Sequence, residues 1–332
     1  MPKYSKSEAK EWAREHLHGE WTTLVTPFTP DDEIDEEGLR KNIRHIRSLG
    51  TAGGGCSWNM GEFWSLTTEE RLRLFDIVAD EAGGQWSIAA QGTHTSYKEA
   101  IKLAKYIEAR SYDILILAAP YIVTKTEQQV IEFTKVVAEN TNLGIMFYNS
   151  PQFGVVMSPQ GLRELCKIPN VVGVKEASFN QQISLDTHML VGKEAVISTP
   201  DEWIHFKEKE YGFHQQVMFA NTSDWRFDLP GRNYYVQFID RACAGDIDVA
   251  FYNEHLRPVK ELSDKWWSAT VQKHSGVIPV SLCKYWGELM GMASGGVRLP
   301  LIDMTQEEKS QLRQQLEALH IMPSLVAEGN RS

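Results

Sequence analysis

Short apolar, β-branched runs alternate along this chain with longer segments whose apolar positions recur every third or fourth residue. The short runs lie near 22–26 (TTLVT), 51–57 (TAGGGCS), 86–92 (WSIAAQG), 113–119 (DILILAA), 143–149 (LGIMFYN), 170–175 (NVVGVK), 195–199 and 215–221 (QQVMFAN), bounded mostly by Gly, Pro or Asn. That pattern predicts strands. The longer segments, 36–49, 68–82, 97–110, 127–140 and 159–167, set charges opposite an apolar stripe and predict helices. Thr67 or Thr68 before EERL, and Ser158-Pro159 before QGLREL, mark helix starts. About eight strand-then-helix units over residues 19–230 predict an α/β fold, a (β/α)8 TIM barrel. An open doubly wound sheet is the rival, but its first strand would run into TPFTPDD, which cannot cradle a pyrophosphate. Residues 1–18 read as an N-terminal helical extension and 231–332 as a C-terminal helical region, with helices at 233–244, 248–272 and 306–319.

Composition narrows the function. The 332 residues carry a formal charge of −10 and no Lys/Arg-rich block, which argues against nucleic acid as a partner. Nor does any apolar run reach the roughly 18 residues of a membrane helix, and the opening MPKYSKSEAKEWAREHLHGEW is too charged for a signal peptide, so no membrane partner and a cytoplasmic location are expected. Cys56, Cys166, Cys243 and Cys283 are far apart without a CxxC pair, as free thiols in a reducing compartment would be.

Barrels of this kind place chemistry at the C-terminal ends of the strands. Polar residues gather there in this sequence: Asn59, Glu62, Thr93, His94, Tyr121, Tyr148, Asn149, Lys175, Glu176, Asp201 and Asn221. One of them is a lysine, ending the run VVGVK. Burial lowers an ammonium pKa from about 10.4 toward 7 or 8, giving a neutral amine able to attack a ketone and form a Schiff base. Tyr148, on the adjacent strand, could move the protons. The residues alone leave open an ion pair between Lys175 and Glu62 or Glu176. His94, His45 and His205 show no HxH or HxxxH spacing, so no metal is expected.

Four ordered motifs add a family. TPF at 26–28, MGEFWSLTTEER at 60–71, YNSP at 148–151 and GVKEAS at 173–178 resemble the signatures of the dihydrodipicolinate synthase and N-acetylneuraminate lyase family, class I aldolases, over roughly residues 19–322. The resemblance implies a lyase that forms a lysine Schiff base with pyruvate or a related 2-keto acid, needs no cofactor, and assembles as a homotetramer, a dimer of dimers. Lys175 matches its Schiff-base lysine and Tyr148 its acid/base tyrosine.

This chain departs from the family at the substrate contacts. A hydroxyl pair that holds the keto-acid carboxylate is replaced by Asn59 and Met60, leaving the Asn59 amide and the backbone donors of Met60 and Gly61. Phe153 stands where dihydrodipicolinate synthases carry an arginine, and Ile122 where they carry a second tyrosine, which argues against lysine biosynthesis. Trp58, Phe63, Trp64, Phe153, Trp203 and Trp225 on rim loops point instead to an apolar or aromatic carbonyl partner, as in hydratase-aldolases. A sugar-acid aldolase or dehydratase using the same lysine is the alternative, with Asp201 and Asn221 then touching substrate hydroxyls. A non-catalytic descendant that binds a small molecule is the third reading.

Overall fold

A computed structural model describes residues 2–220 and 222–323. Its sheet holds eight strands: β1 (Gly19–Thr23), β2 (Gly53–Cys56), β3 (Ser87–Gln91), β4 (Ile114–Ala118), β5 (Gly144–Asn149), β6 (Val171–Glu176), β7 (Val196–Ser198) and β8 (Val217–Phe219). All pair in parallel in the order β7-β6-β5-β4-β3-β2-β1-β8. The seam between β7 and β8 is bridged where the Phe219 N–H donates to Ser198 Oγ at 2.7 Å, so the sheet curls into a (β/α)8 barrel.

Helix α1 (Ala9–His16) precedes the barrel, and α2 (Glu36–Ser48), α3 (Thr68–Ala82), α4 (Tyr97–Ala109), α5 (Glu127–Glu139), α6 (Pro159–Leu165), α7 (Gln181–Val191), α8 (Glu208–Tyr211) and α9 (Ser223–Phe227) follow the successive strands. Beyond them come α10 (Tyr234–Cys243), α11 (Val249–Phe251), α12 (Arg257–Lys273), α13 (Val280–Leu289) and α14 (Gln306–Ala318). Thr67 accepts from the Glu70 N–H while the Glu70 carboxylate reaches back to Thr67, a capping box that fixes the start of α3. Ser158 caps α6 through the Gly161 N–H.

The glycine run of β2 follows from the indoles packed on its two faces. A Cβ on Gly53, Gly54 or Gly55 would come within 2.6, 2.1 or 1.9 Å of Trp21, Trp86 or Trp58 respectively. Three indoles press on one strand, and only hydrogen leaves room for them. Trp21 and Trp58 in turn pack on Phe219, at 5.0 and 5.8 Å between ring centres. This aromatic plug lies beneath the C-terminal mouth. Among the described residues, no helix is long and apolar enough to cross a membrane.

Candidate active site

Lys175 lies one residue from the end of β6, in register with Tyr148 on β5 and Ser198 on β7. Its ammonium lies 4.4 Å from the ring centre of Trp58 and 4.9 Å from that of Tyr148, and donates to the Ala220 carbonyl at 3.4 Å. Among the described residues, no carboxylate forms an ion pair with it. Glu62 is taken by Lys284, whose ammonium donates to it at 2.6 Å, and by the Arg298 N–H at 3.0 Å. The Glu176 carboxylate accepts from the Ser184 hydroxyl, from the Ser178 N–H at 3.0 Å and from the Asn149 amide at 3.3 Å. Both partners that the residues alone left open for Lys175 are therefore committed elsewhere.

Desolvation is the setting in which an amine loses its proton near neutrality. Burial lowers the Lys175 pKa to about 7, against a smaller opposing pull from Glu20 on β1. Glu20 is itself driven well above the ordinary carboxylate range by burial and by Asp224. Burial also raises the Tyr148 phenol, partly offset by the Ser150 hydroxyl, which keeps it a proton donor at neutral pH.

The loop after β2 turns sharply, with Ser57 and Glu62 at φ 58° and 57°, the left-handed region. It winds into a short 3-10 helix, Asn59–Gly61. Both polar atoms of the buried Asn59 amide lack a hydrogen-bond partner among the described residues, as does the Trp58 indole N–H. An amide desolvated without a partner costs free energy that a ligand would recover. Of the two backbone donors expected here, the Gly61 N–H is already spent on the Trp58 carbonyl at 3.0 Å, because the 3-10 turn closes there. Met60 is a first-turn donor of that helix.

Phe153 packs between the Tyr148 ring and an outer hollow that Lys175 does not line. Its ring packs edge-on to Tyr148 at 5.5 Å and stacks on Phe63 at 5.9 Å, with Tyr121 6.0 Å from Phe63. Phe63, Tyr121 and Phe153, but not Tyr148, form one wall of a hollow of about 300 Å³ that Asn59, Trp64 and Gln152 also line. Asp201 and Trp203 are not part of it. They line a separate cleft of about 210 Å³ with Glu176 and Ser184, and Asp201 caps the following 3-10 helix (Trp203 N–H, 3.4 Å) and pairs with Lys260 at 3.6 Å. Trp225 is fully buried, donating to the Thr23 carbonyl at 3.1 Å. Asn221 lies outside the described residues. His94 accepts from the Ser96 N–H at 2.9 Å within its own loop, and among the described residues no group of three His, Cys, Asp or Glu could hold a metal.

One residue at this rim has no counterpart in the sequence-level list of candidates. The buried Arg71 donates to Ser57 Oγ at 3.1 Å, to the Thr93 carbonyl at 3.0 Å and to the Gln91 carbonyl, with its guanidinium 5.6 Å from the Phe63 ring centre. It ties β3 to the Asn59 loop without a carboxylate, and burial lowers its pKa to about 10.

The family model described as the dihydrodipicolinate synthetase family matches residues 16–319. The chain belongs to that family. Among its relatives, the 4-hydroxy-tetrahydrodipicolinate synthases of Desulforamulus reducens and Oceanobacillus iheyensis are 27% and 29% identical, over 91% and 88% of this chain and 97% and 94% of their own length. The fold matches that of dihydrodipicolinate synthase from Aquifex aeolicus (TM-score 0.79, 22% identity, 93% of this chain and 100% of that one). It also matches YagE, a prophage protein of the dihydrodipicolinic acid synthase family from E. coli K12, solved in complex with pyruvate (TM-score 0.78, 20% identity, 92% and 99% coverage). Membership in this family supports an aldolase-type lyase.

Proposed function

We propose that this chain is a class I lyase that forms a Schiff base between Lys175 and a 2-keto acid, pyruvate or a derivative, and makes or breaks a carbon–carbon bond to an apolar or aromatic carbonyl fragment. The observation that carries this reading is the buried Lys175 amine beside the Tyr148 ring, without an ion pair among the described residues and with its pKa lowered to about 7 by burial.

The neutral Nζ attacks the keto carbon, Tyr148 protonates the oxygen, and water leaves as the C=N bond forms. In the cleavage direction the bond between C3 and C4 breaks, its electron pair passes into the iminium to give an enamine, and the C4 hydroxyl proton goes to the Tyr148 oxygen as the aldehyde departs. Protonation at C3 and addition of water then release the keto acid and restore the amine. The Asn59 amide and the Met60 N–H are the donors for the keto-acid carboxylate. Phe153 supplies an apolar face to the other fragment and has no donor for a second carboxylate.

Two measurements follow from this chemistry. Removing the phenol in Tyr148→Phe is expected to slow adduct formation and turnover by about 100-fold or more, the usual yield of a positioned acid/base, with little change in melting temperature. Adduct formation at limiting keto acid is expected to rise with pH through about 7 and then level off. The sign follows because only the deprotonated amine has a lone pair. A lysine at the ordinary value would keep gaining to about pH 10.

The same reading carries a homotetramer. The exposed apolar pair Ile122 and Val123 in the loop after β4 supports a subunit contact there.

A further inference from the structure

The hollow beside Phe153 is larger than one ring requires. It encloses about 300 Å³, whereas a cavity of about 150 Å³ already accommodates benzene. A second hollow of about 290 Å³ adjoins it and shares Val277, Ile278, Pro300 and Leu301. The shared wall comes from the C-terminal region: Val277 and Ile278 precede α13, and Pro300 and Leu301 follow it. No Asp, Glu, Lys, Arg or His side chain lines the first hollow, and His274 alone among those types lines the second. Around them, apolar side chains stay in contact with solvent, with Trp64 37%, Val277 41% and Ile302 65% exposed. The Asn59 amide, unpartnered among the described residues, also lines the first hollow.

Resting on the Schiff-base reading of Lys175, we propose that the substrate is a 2-keto acid whose far end is an uncharged apolar group longer than a single ring, such as fused rings or a ring on a chain. The keto-acid end is held at Asn59 while the far end passes Phe153 and lies against Val277 and Leu301, which determine length specificity. A far end carrying a carboxylate or several hydroxyls finds no charged partner along this path and is desolvated without compensation.

The test is reductive trapping with cyanoborohydride across pyruvate, 2-oxoglutarate, 2-oxo-4-phenylbutanoate and 2-oxo-6-phenylhexanoate, reading the half-saturating concentration for adduct formation by intact mass. The expected result is a value at least about tenfold lower for 2-oxo-6-phenylhexanoate than for pyruvate or 2-oxoglutarate. In Val277→Asp and Leu301→Asp that ratio is expected to collapse toward one. Val277 is already part-exposed, so an aspartate there keeps the fold testable, with circular dichroism as the check. Adducts formed equally well by all four acids, or a ratio unmoved in both variants, overturn this proposal and leave the Schiff base intact. Absence of an adduct with any of the four overturns the Schiff base and this proposal with it.

Discussion

Lys175→Ala is expected to retain its fold and to lose turnover by a factor on the order of 10⁴ or more, the scale seen when a covalent nucleophile is removed. The fold is retained because, among the described residues, the amine makes one long hydrogen bond, to Ala220 at 3.4 Å, and no ion pair. Removing an amine whose charged form burial disfavours relieves that desolvation penalty, so the melting temperature should hold or rise. A structural lysine would behave in the opposite way, since loss of its partner would leave a buried carboxylate uncompensated. Thermal melting beside steady-state kinetics separates the two cases: activity lost without stability lost is the signature of the nucleophile.

Lys284→Met is expected to do the reverse, costing about 3–5 kcal/mol of stability by stranding the Glu62 carboxylate. The Lys284–Glu62 pair is fully buried, at 1% and 0% exposure. Burial pushes Glu62 above its ordinary pKa and Lys284 below, so the 2.6 Å contact and the Arg298 N–H must hold both ions against desolvation. The cost extends to the site, because Glu62 ends the 3-10 turn that carries Asn59 and Met60 in a left-handed conformation. Arg298 pins the same loop to Glu70 at 2.7 Å and to the Ser65 carbonyl at 3.2 Å. Urea melts should show the loss, and KM for the keto acid should rise more than kcat falls, since the carboxylate donors move while Lys175 does not. Lys284→Met combined with Glu62→Leu should recover much of the stability without recovering KM, because an apolar pair fills the space but does not tether the loop.

The barrel could be read from the sequence because each strand is a short apolar run closed by a breaker. Its edges were less legible where burial and polarity disagree. The first strand, expected at 22–26, is Gly19–Thr23: Leu24 and Val25 are buried in the turn that follows, and Glu20 places a buried carboxyl group inside the strand. Strands expected at 195–199 and 215–221 shrink to three residues each, Val196–Ser198 and Val217–Phe219. Helix α7 gave no clean stripe because Ser184, Thr187 and His188 lie on its buried face. The sequence VSLCKYWGEL of α13 is largely buried along its length and shows no alternation of faces. The helix expected over 248–272 is broken by a π-helical turn at Tyr252–Leu256, just ahead of Pro258, which has no N–H to continue the ladder.

At the site, Lys175 and Tyr148 were legible because strand ends are countable, and the rings of Phe63, Trp64 and Phe153 because they crowd the same loops. Three-dimensional commitments were not. That Asp201 belongs to Lys260, that Glu62 belongs to a lysine 222 positions away, and that the Gly61 N–H is spent inside its own turn are facts of packing with no local signal. Arg71 had only the EER of a helix start to announce it, a setting in which arginines are ordinarily solvated.

The central claim is that the Lys175 amine condenses with a keto acid. Trapping with pyruvate and borohydride, followed by proteolysis and peptide mass mapping, tests it most directly. A single irreversible adduct on the peptide that contains Lys175, absent from Lys175→Ala, is the predicted result; an adduct spread over surface lysines, or one that persists in the alanine variant, would contradict it.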